Sequence, residues 1–246
     1  MNRNYWDTIA KDYDGEIFDV RASDQNKIIE KRISRLARKG LEAVDFGCGT
    51  GKFLPYLARY FRKVRGYDLS PKLVGQAAKI CQEFPNIIVE TQNLAHPDKK
   101  LPRGDFGLCV NVLITDSHSV RSDILKTISR TLNKGASFLL VVPSLESALL
   151  ASYRLIDWNL RDGESYRKAA ADLGIFKRAG EGLVDIDSVP TKHYLKEELE
   201  HLLSGYGFEV KAFHKVEYSW HTEFEKPAVH MKSPYPWDWL VEAEKR

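Results

Sequence analysis

Val44-Asp45-Phe46-Gly47-Cys48-Gly49-Thr50-Gly51 joins the first apolar run after Gly40 to a helical pattern beginning at Lys52. Glycines at alternate positions let the backbone turn tightly. They also bring a ligand against a helix N-terminus, whose free N–H groups and dipole favour an anion. The spacing separates ligand classes. A P-loop needs Gly at position 46 and Ser or Thr at 53, and both positions hold Phe. The dinucleotide fingerprint counted from Gly47 needs a third Gly at position 52, which is Lys52. Both phosphate readings fail, and a nicotinamide oxidoreductase is disfavoured with them. What remains is Asp-x-Gly-x-Gly-x-Gly, followed 17 residues after Gly51 by Asp68 in Gly66-Tyr67-Asp68-Leu69-Ser70. An acid there can accept both hydroxyls of a ribose in a bidentate hydrogen bond.

On either side of this turn, short apolar runs alternate with helical spacing. Strands are expected at 41–46, 64–67, 87–90, 106–112 and 136–142, and helices at 52–60, 71–83 and 122–132. Ser70 and Pro71 supply the N-cap and first turn of the second helix. Upstream, Ile28, Ile29, Ile33, Leu36 and Ala37 place a helix over 24–39, closed by Gly40. Strands alternating with helices of about ten residues imply βαβ units, right-handed crossovers and a doubly wound, mainly parallel sheet. From Pro143 to His193 the rhythm breaks into a helix at 145–160, a short polar helix and a glycine turn at Gly180 and Gly182. A helix at 195–203, ended by Gly205 and Gly207, then precedes strands at 208–218 and 237–244.

The glycine set with its strand-two acid resembles the first motif of the class I S-adenosylmethionine-dependent methyltransferases, and the likeness runs from about Tyr5 to Val142 and again from Leu195. The opening Tyr5-Trp6-Asp7-x-x-Ala10-x-x-Tyr13-Asp14 is similar to that of the small-molecule branch. The resemblance implies an α/β, mostly parallel seven-stranded sheet with one antiparallel strand, and S-adenosylmethionine as cofactor. It places Gly47, Gly49 and Gly51 under the amino-acid end, with Asp45 ordering that loop or bonding the ammonium through water. It puts Asp68 on the ribose, Leu69 beside the adenine, and Gln92, Asn93 and Leu94 around the adenine edge. Tyr13 would reach the methionine carboxylate. Asn111, in Asn111-Val112-Leu113-Ile114, stands where enzymes acting on nucleobase or glutamine amines carry an Asn/Asp-Pro-Pro-aromatic tetrapeptide, so those classes are disfavoured.

Composition agrees with a small-molecule enzyme. The chain has 246 residues and a net charge of +3, and the basic excess is concentrated in Lys27 to Lys39. That argues against a nucleic-acid groove spread over the fold. Cys48, Cys81 and Cys109 form neither a disulfide framework nor a zinc motif, which fits a reducing cytoplasm. No apolar run approaches the ~20 residues needed to cross a bilayer, and no metal site is expected, Asp116 being a lone candidate.

Ligands of open parallel sheets bind beyond the strands' carboxyl ends. Three segments outside the core would meet there in a single domain: a lid at 1–23 and substrate-cap insertions at 143–193 and 219–236. His118, His193, Tyr194, His221 and His230 are the candidates for a general base, and Glu146 for contact with a cationic substrate. The expected reaction is methyl transfer to a small-molecule O, N or C acceptor by a monomer or homodimer, without membrane or nucleic-acid partners. A tRNA or protein methyltransferase, or a non-catalytic S-adenosylmethionine-binding subunit, stays open as an alternative.

Overall fold

The computed structural model describes residues 2–171, 176 and 178–246. Its strands are β1 (Glu42–Phe46), β2 (Lys63–Asp68), β3 (Ile87–Thr91), β4 (Gly104–Val110), β5 (Leu132–Pro143), β6 (Leu183–Ile186), β7 (Val189–Lys192), β8 (Phe208–Glu217) and β9 (Trp237–Lys245). Seven of them form one sheet in the order β3-β2-β1-β4-β5-β9-β8. β9 runs antiparallel to both neighbours while the remaining strands run one way, so the expected single antiparallel strand is present. Hydrophobic residues pack on both faces, as a doubly wound sheet requires. On one face Phe46, Leu140 and Val241 meet α7 (His118–Thr131) and α10 (Lys196–Gly205). On the other, Val44's neighbour Ala43, Leu139 and Leu240 meet α4 (Ile28–Leu36), α5 (Leu54–Ala58) and α6 (Pro71–Ile80).

Several element boundaries differ from the spacing argument for identifiable reasons. The helix expected over 24–39 begins only at Ile28, because buried Asp24 turns its carboxylate onto the Ile29 N–H and Lys27 adopts a left-handed φ of +49°. A separate turn, α3 (Val20–Ser23), precedes it. The strand expected to reach 112 stops at Val110, since Asn111 is left-handed with φ +52°. The helix after the glycine loop is shorter than expected, starting at Leu54 with Pro55 in its first turn.

The break in rhythm after β5 contains α8 (Leu145–Arg161), α9 (Tyr166–Ala169) and an antiparallel hairpin of β6 and β7. Asp187 and Ser188, with φ of +47° and +66°, form its two-residue turn. Segment 219–236 does not hang free. Trp220 and Met231 bury themselves with Ala151 of α8, Trp220 stacks on Phe224 at 5.8 Å, and Phe224 meets Trp158 edge-on. Among the described residues no helix is long and apolar enough to cross a membrane, and no group of three or more His, Cys, Asp or Glu could hold a metal ion.

Candidate active site

Past β1 the chain reverses through Gly47, Gly49 and Gly51, all with positive φ. Contact enforces the choice at two of them. A Cβ on Gly47 would collide with Val112, and one on Gly49 would stand 3.0 Å from the Tyr13 hydroxyl. The N–H groups of Gly47 and Cys48 both donate to Tyr67 O, at 2.7 and 2.9 Å, tying the loop to β2. Gly49 N–H donates to Asp68 Oδ2 and Ser70 N–H to Oδ1, each at 2.9 Å. Asp68 is thus pinned by two backbone donors, and each oxygen keeps a further lone pair for a ligand hydroxyl. Burial raises its pKa, against the opposing pull of hydrogen bonds from Ser70, Gly49 and Leu69.

Asp45 lies beneath the same loop. It is 3% exposed, and no hydrogen bond from the described residues reaches its carboxylate. Desolvation, with the Asp68 charge adding to it, pushes its pKa up to about 8. Cys48 is buried beside both acids, and burial drives its thiol well above the usual range, which makes it inert as a nucleophile.

A cleft of about 880 Å³ opens over this loop at the carboxyl ends of the strands. Of the residues expected to hold a cofactor, Tyr13, Gly47, Asp68, Leu69, Gln92, Asn93, Leu94 and Asn111 line it, whereas Asp45, Gly49 and Gly51 sit behind its wall. Asn93 is exposed and its side-chain oxygen already accepts from Ala95 N–H at 3.0 Å. The free acceptor at that end is the neighbouring Gln92 Oε1, buried and without a partner. A glycine cradle that side chains would fill, a pinned acid and an orphaned amide oxygen together fit a ligand with a charged end, a ribose and a purine edge.

The N-terminal segment closes one side of the cleft with Tyr5, Trp6, Ile9 and Phe18. It is tied down by polar bonds to the core. Asp7 accepts from the Ser70 hydroxyl and from Lys72 Nζ, Gln76 Nε2 donates to Ala10 O at 2.7 Å, and Lys52 pairs with Asp19 at 2.6 Å.

At the far end, only one of the five base candidates faces the cleft. His193 is 8% exposed, its Nδ1 lies 3.0 Å from Thr191 O, and burial lowers its pKa. With Nδ1–H donated to that carbonyl, Nε2 presents a lone pair to the cleft. Tyr194 is buried and its hydroxyl is consumed by Leu113 O at 2.7 Å. His118 and His221, like His230, are exposed and away from the cleft wall. Glu146 is no substrate contact either. It binds Trp239 Nε1, the Lys196 N–H and the Ser144 hydroxyl, and these bonds outweigh burial and hold its pKa down.

Two acidic cleft residues escaped the sequence argument. Asp238, 8% exposed, accepts from the Tyr218 hydroxyl at 2.8 Å and from Asn111 Nδ2 at 3.4 Å, both at Oδ2. Desolvation moves its pKa to about 6, despite those two bonds. Glu223 shares the wall, and the protein around it raises its pKa by desolvation. The legible signal was a single acid inside the apolar run Trp237 to Val241.

Residues 21–212 match the family described as "Methyltransferase domain", and the chain belongs to it. No curated protein matches the sequence. A SAM-dependent methyltransferase from Methanosarcina mazei is 21% identical, with 90% of this chain and 98% of that one covered at a TM-score of 0.61. Magnesium protoporphyrin IX methyltransferase from Synechocystis PCC 6803, solved with bound SAH, is 17% identical over 99% and 98% of the two chains at 0.63. The N-methyltransferase NodS from Bradyrhizobium japonicum WM9, in complex with S-adenosyl-L-homocysteine, is 10% identical over 99% and 97%, also at 0.63. The fold is therefore that of the class I methyltransferases, and the protein is an S-adenosylmethionine-dependent methyltransferase.

Proposed function

We propose that this enzyme methylates a small molecule held between the glycine loop and a cap built from 1–23, 143–193 and 219–236 of one domain. The observation that carries the reading is Asp68, pinned beside the glycine turn and facing a cleft of about 880 Å³ that extends well past it to His193 and Asp238. The cofactor supplies an activated methyl group. Asp68 takes the ribose hydroxyls, the loop from Gly47 to Gly51 with Tyr13 takes the amino-acid end, and Leu69, Gln92, Asn93 and Leu94 surround the adenine. Holding the acceptor atom ~3–3.5 Å from the methyl carbon and excluding water can supply ~7–11 kcal/mol of the barrier. His193 takes the acceptor's proton at Nε2, with Thr191 O fixing the tautomer. Three buried free cysteines suit a cytoplasmic enzyme working as a monomer or homodimer.

Calorimetry with S-adenosylhomocysteine tests the core of this reading. The protein binds it in the low-micromolar range or tighter, and Asp68→Ala weakens binding by about 100-fold or more, roughly two charge-assisted hydrogen bonds. Unchanged affinity in the variant contradicts the assignment.

A further inference from the structure

The cleft carries a charge imbalance at its acceptor end. Two cations line it, Arg21 and Lys52, and both are committed near the glycine loop, to Glu30 and Asp19. At the other end stand Asp238, Glu223 and, on the hairpin turn, Asp187. No basic side chain among the described residues pairs with any of them.

The hydrogen-bonding is one-sided as well. Asp238 uses Oδ2 for both of its protein donors, leaving Oδ1 without one. Asn111 spends its Nδ2 on Asp238, and its Oδ1 is buried with no partner. His193, more than nine-tenths buried, offers the lone pair of Nε2. These groups are neighbours by topology. Asp238 pairs with Pro143 across β5 and β9, Tyr194 N–H donates to Pro143 O, and Asn111 N–H donates to Val141 O two residues before. This end of the cleft therefore presents unpaired acceptors that outnumber its orphaned donor, the Trp237 Nε1–H, between the aromatic residues Tyr218, Phe224 and Trp237. Buried carboxylate without a protein cation is costly, and a ligand cation between aromatic faces relieves that cost.

We infer that the methyl acceptor is a small-molecule amine with an apolar or aromatic body, bound as its ammonium by Asp238 and Glu223. The inference rests on the methyltransferase reading above and narrows its acceptor class. The bound ammonium gives one proton to His193 Nε2. The freed nitrogen lone pair then forms the N–CH3 bond while the C–S pair stays on sulfur, leaving a neutral thioether and a methylammonium product. His193 returns its proton to solvent.

The test uses the full chain saturated with S-adenosylhomocysteine. Phenethylamine, 4-phenylbutylamine and tryptamine are titrated beside their alcohol counterparts 2-phenylethanol, 4-phenylbutanol and tryptophol at pH 7. At least one amine binds about tenfold tighter than its alcohol, and Asp238→Asn and Glu223→Gln each remove most of that preference. Glu223→Gln, at an accessible position, keeps the test informative should the buried Asp238 variant fold poorly. The proposal is overturned if no amine outbinds its alcohol, which includes no amine binding at all, or if the preference survives in the folded variants. Failure of the unmodified protein to bind S-adenosylhomocysteine would instead remove the methyltransferase site on which the proposal stands.

Discussion

Asp45 is an electrostatic liability beneath the glycine loop. Burial, with the Asp68 charge adding to it, disfavours its charged form, so the folded carboxyl is pushed up to about 8 from the ordinary 3.8. A carboxyl raised in the folded state stabilises fully below its unfolded pKa, and that contribution is lost as pH climbs toward the folded value. By pH 7 the loss is on the order of 4 kcal/mol. Scanning calorimetry of ligand-free protein should show Asp45→Asn melting above the parent, by a margin that grows from pH 5 to pH 8. A margin that shrinks over this range would refute the account. His193 makes the complementary case, since burial keeps its imidazole neutral and ready to accept a proton. His193→Gln should lower kcat by about 10²–10⁴-fold while S-adenosylhomocysteine affinity stays within about twofold. Equal loss of both would make it a positioning residue rather than a base.

At the level of elements, one serine joins two functions. Ser70 caps α6 by accepting from Leu73 N–H, and its hydroxyl donates to Asp7 of α1 (Arg3–Ile9), so the helix start and the N-terminal segment share an atom. Ser70→Ala should cost about 1 kcal/mol in thermal stability through the lost cap. It should also speed release of S-adenosylhomocysteine several-fold in stopped-flow experiments, because the lid loses its tether over the loop. Unchanged release with lowered stability would confine Ser70 to capping. The elements also show where pattern reading stops. β1 is buried on both faces after its first residue, as a central parallel strand is, whereas the β6–β7 hairpin lies outside the sheet. Its turn uses Asp187-Ser188, which satisfies two left-handed positions without the Asn-Gly signature, so it went unread. Asp24 and Asn111 misled the boundaries for a related reason, each placing a short polar side chain where it competes with regular backbone.

For the molecule as a whole, the basic excess is solvated rather than gathered into a groove. Lys27, Lys31, Arg35, Arg38 and Lys39 are exposed along α4 and its ends, while Arg32 is spent on Glu242 between α4 and β9. Filter binding with bulk tRNA at 0.15 M salt should give affinity no better than the ~10⁻⁴–10⁻⁶ M of non-specific contacts, and turnover with an amine should be indifferent to added tRNA. Tight, saturable tRNA binding would reverse the choice of acceptor class.

The sequence by itself determined the sheet, its parallel core and the glycine-loop end of the cleft. Those features rest on local chemistry: apolar periodicity, glycines that alone tolerate the turn beside Val112 and Tyr13, and an acid at a fixed distance along the chain. The opposite end was decided only by tertiary structure. Asp238, Tyr218, Asn111 and His193 are separated by up to 127 residues and converge because β9 inserts between β5 and β8. Which histidine faces the cleft, and which carboxylate lacks a cation, are properties of burial and pairing that no spacing along the chain encodes.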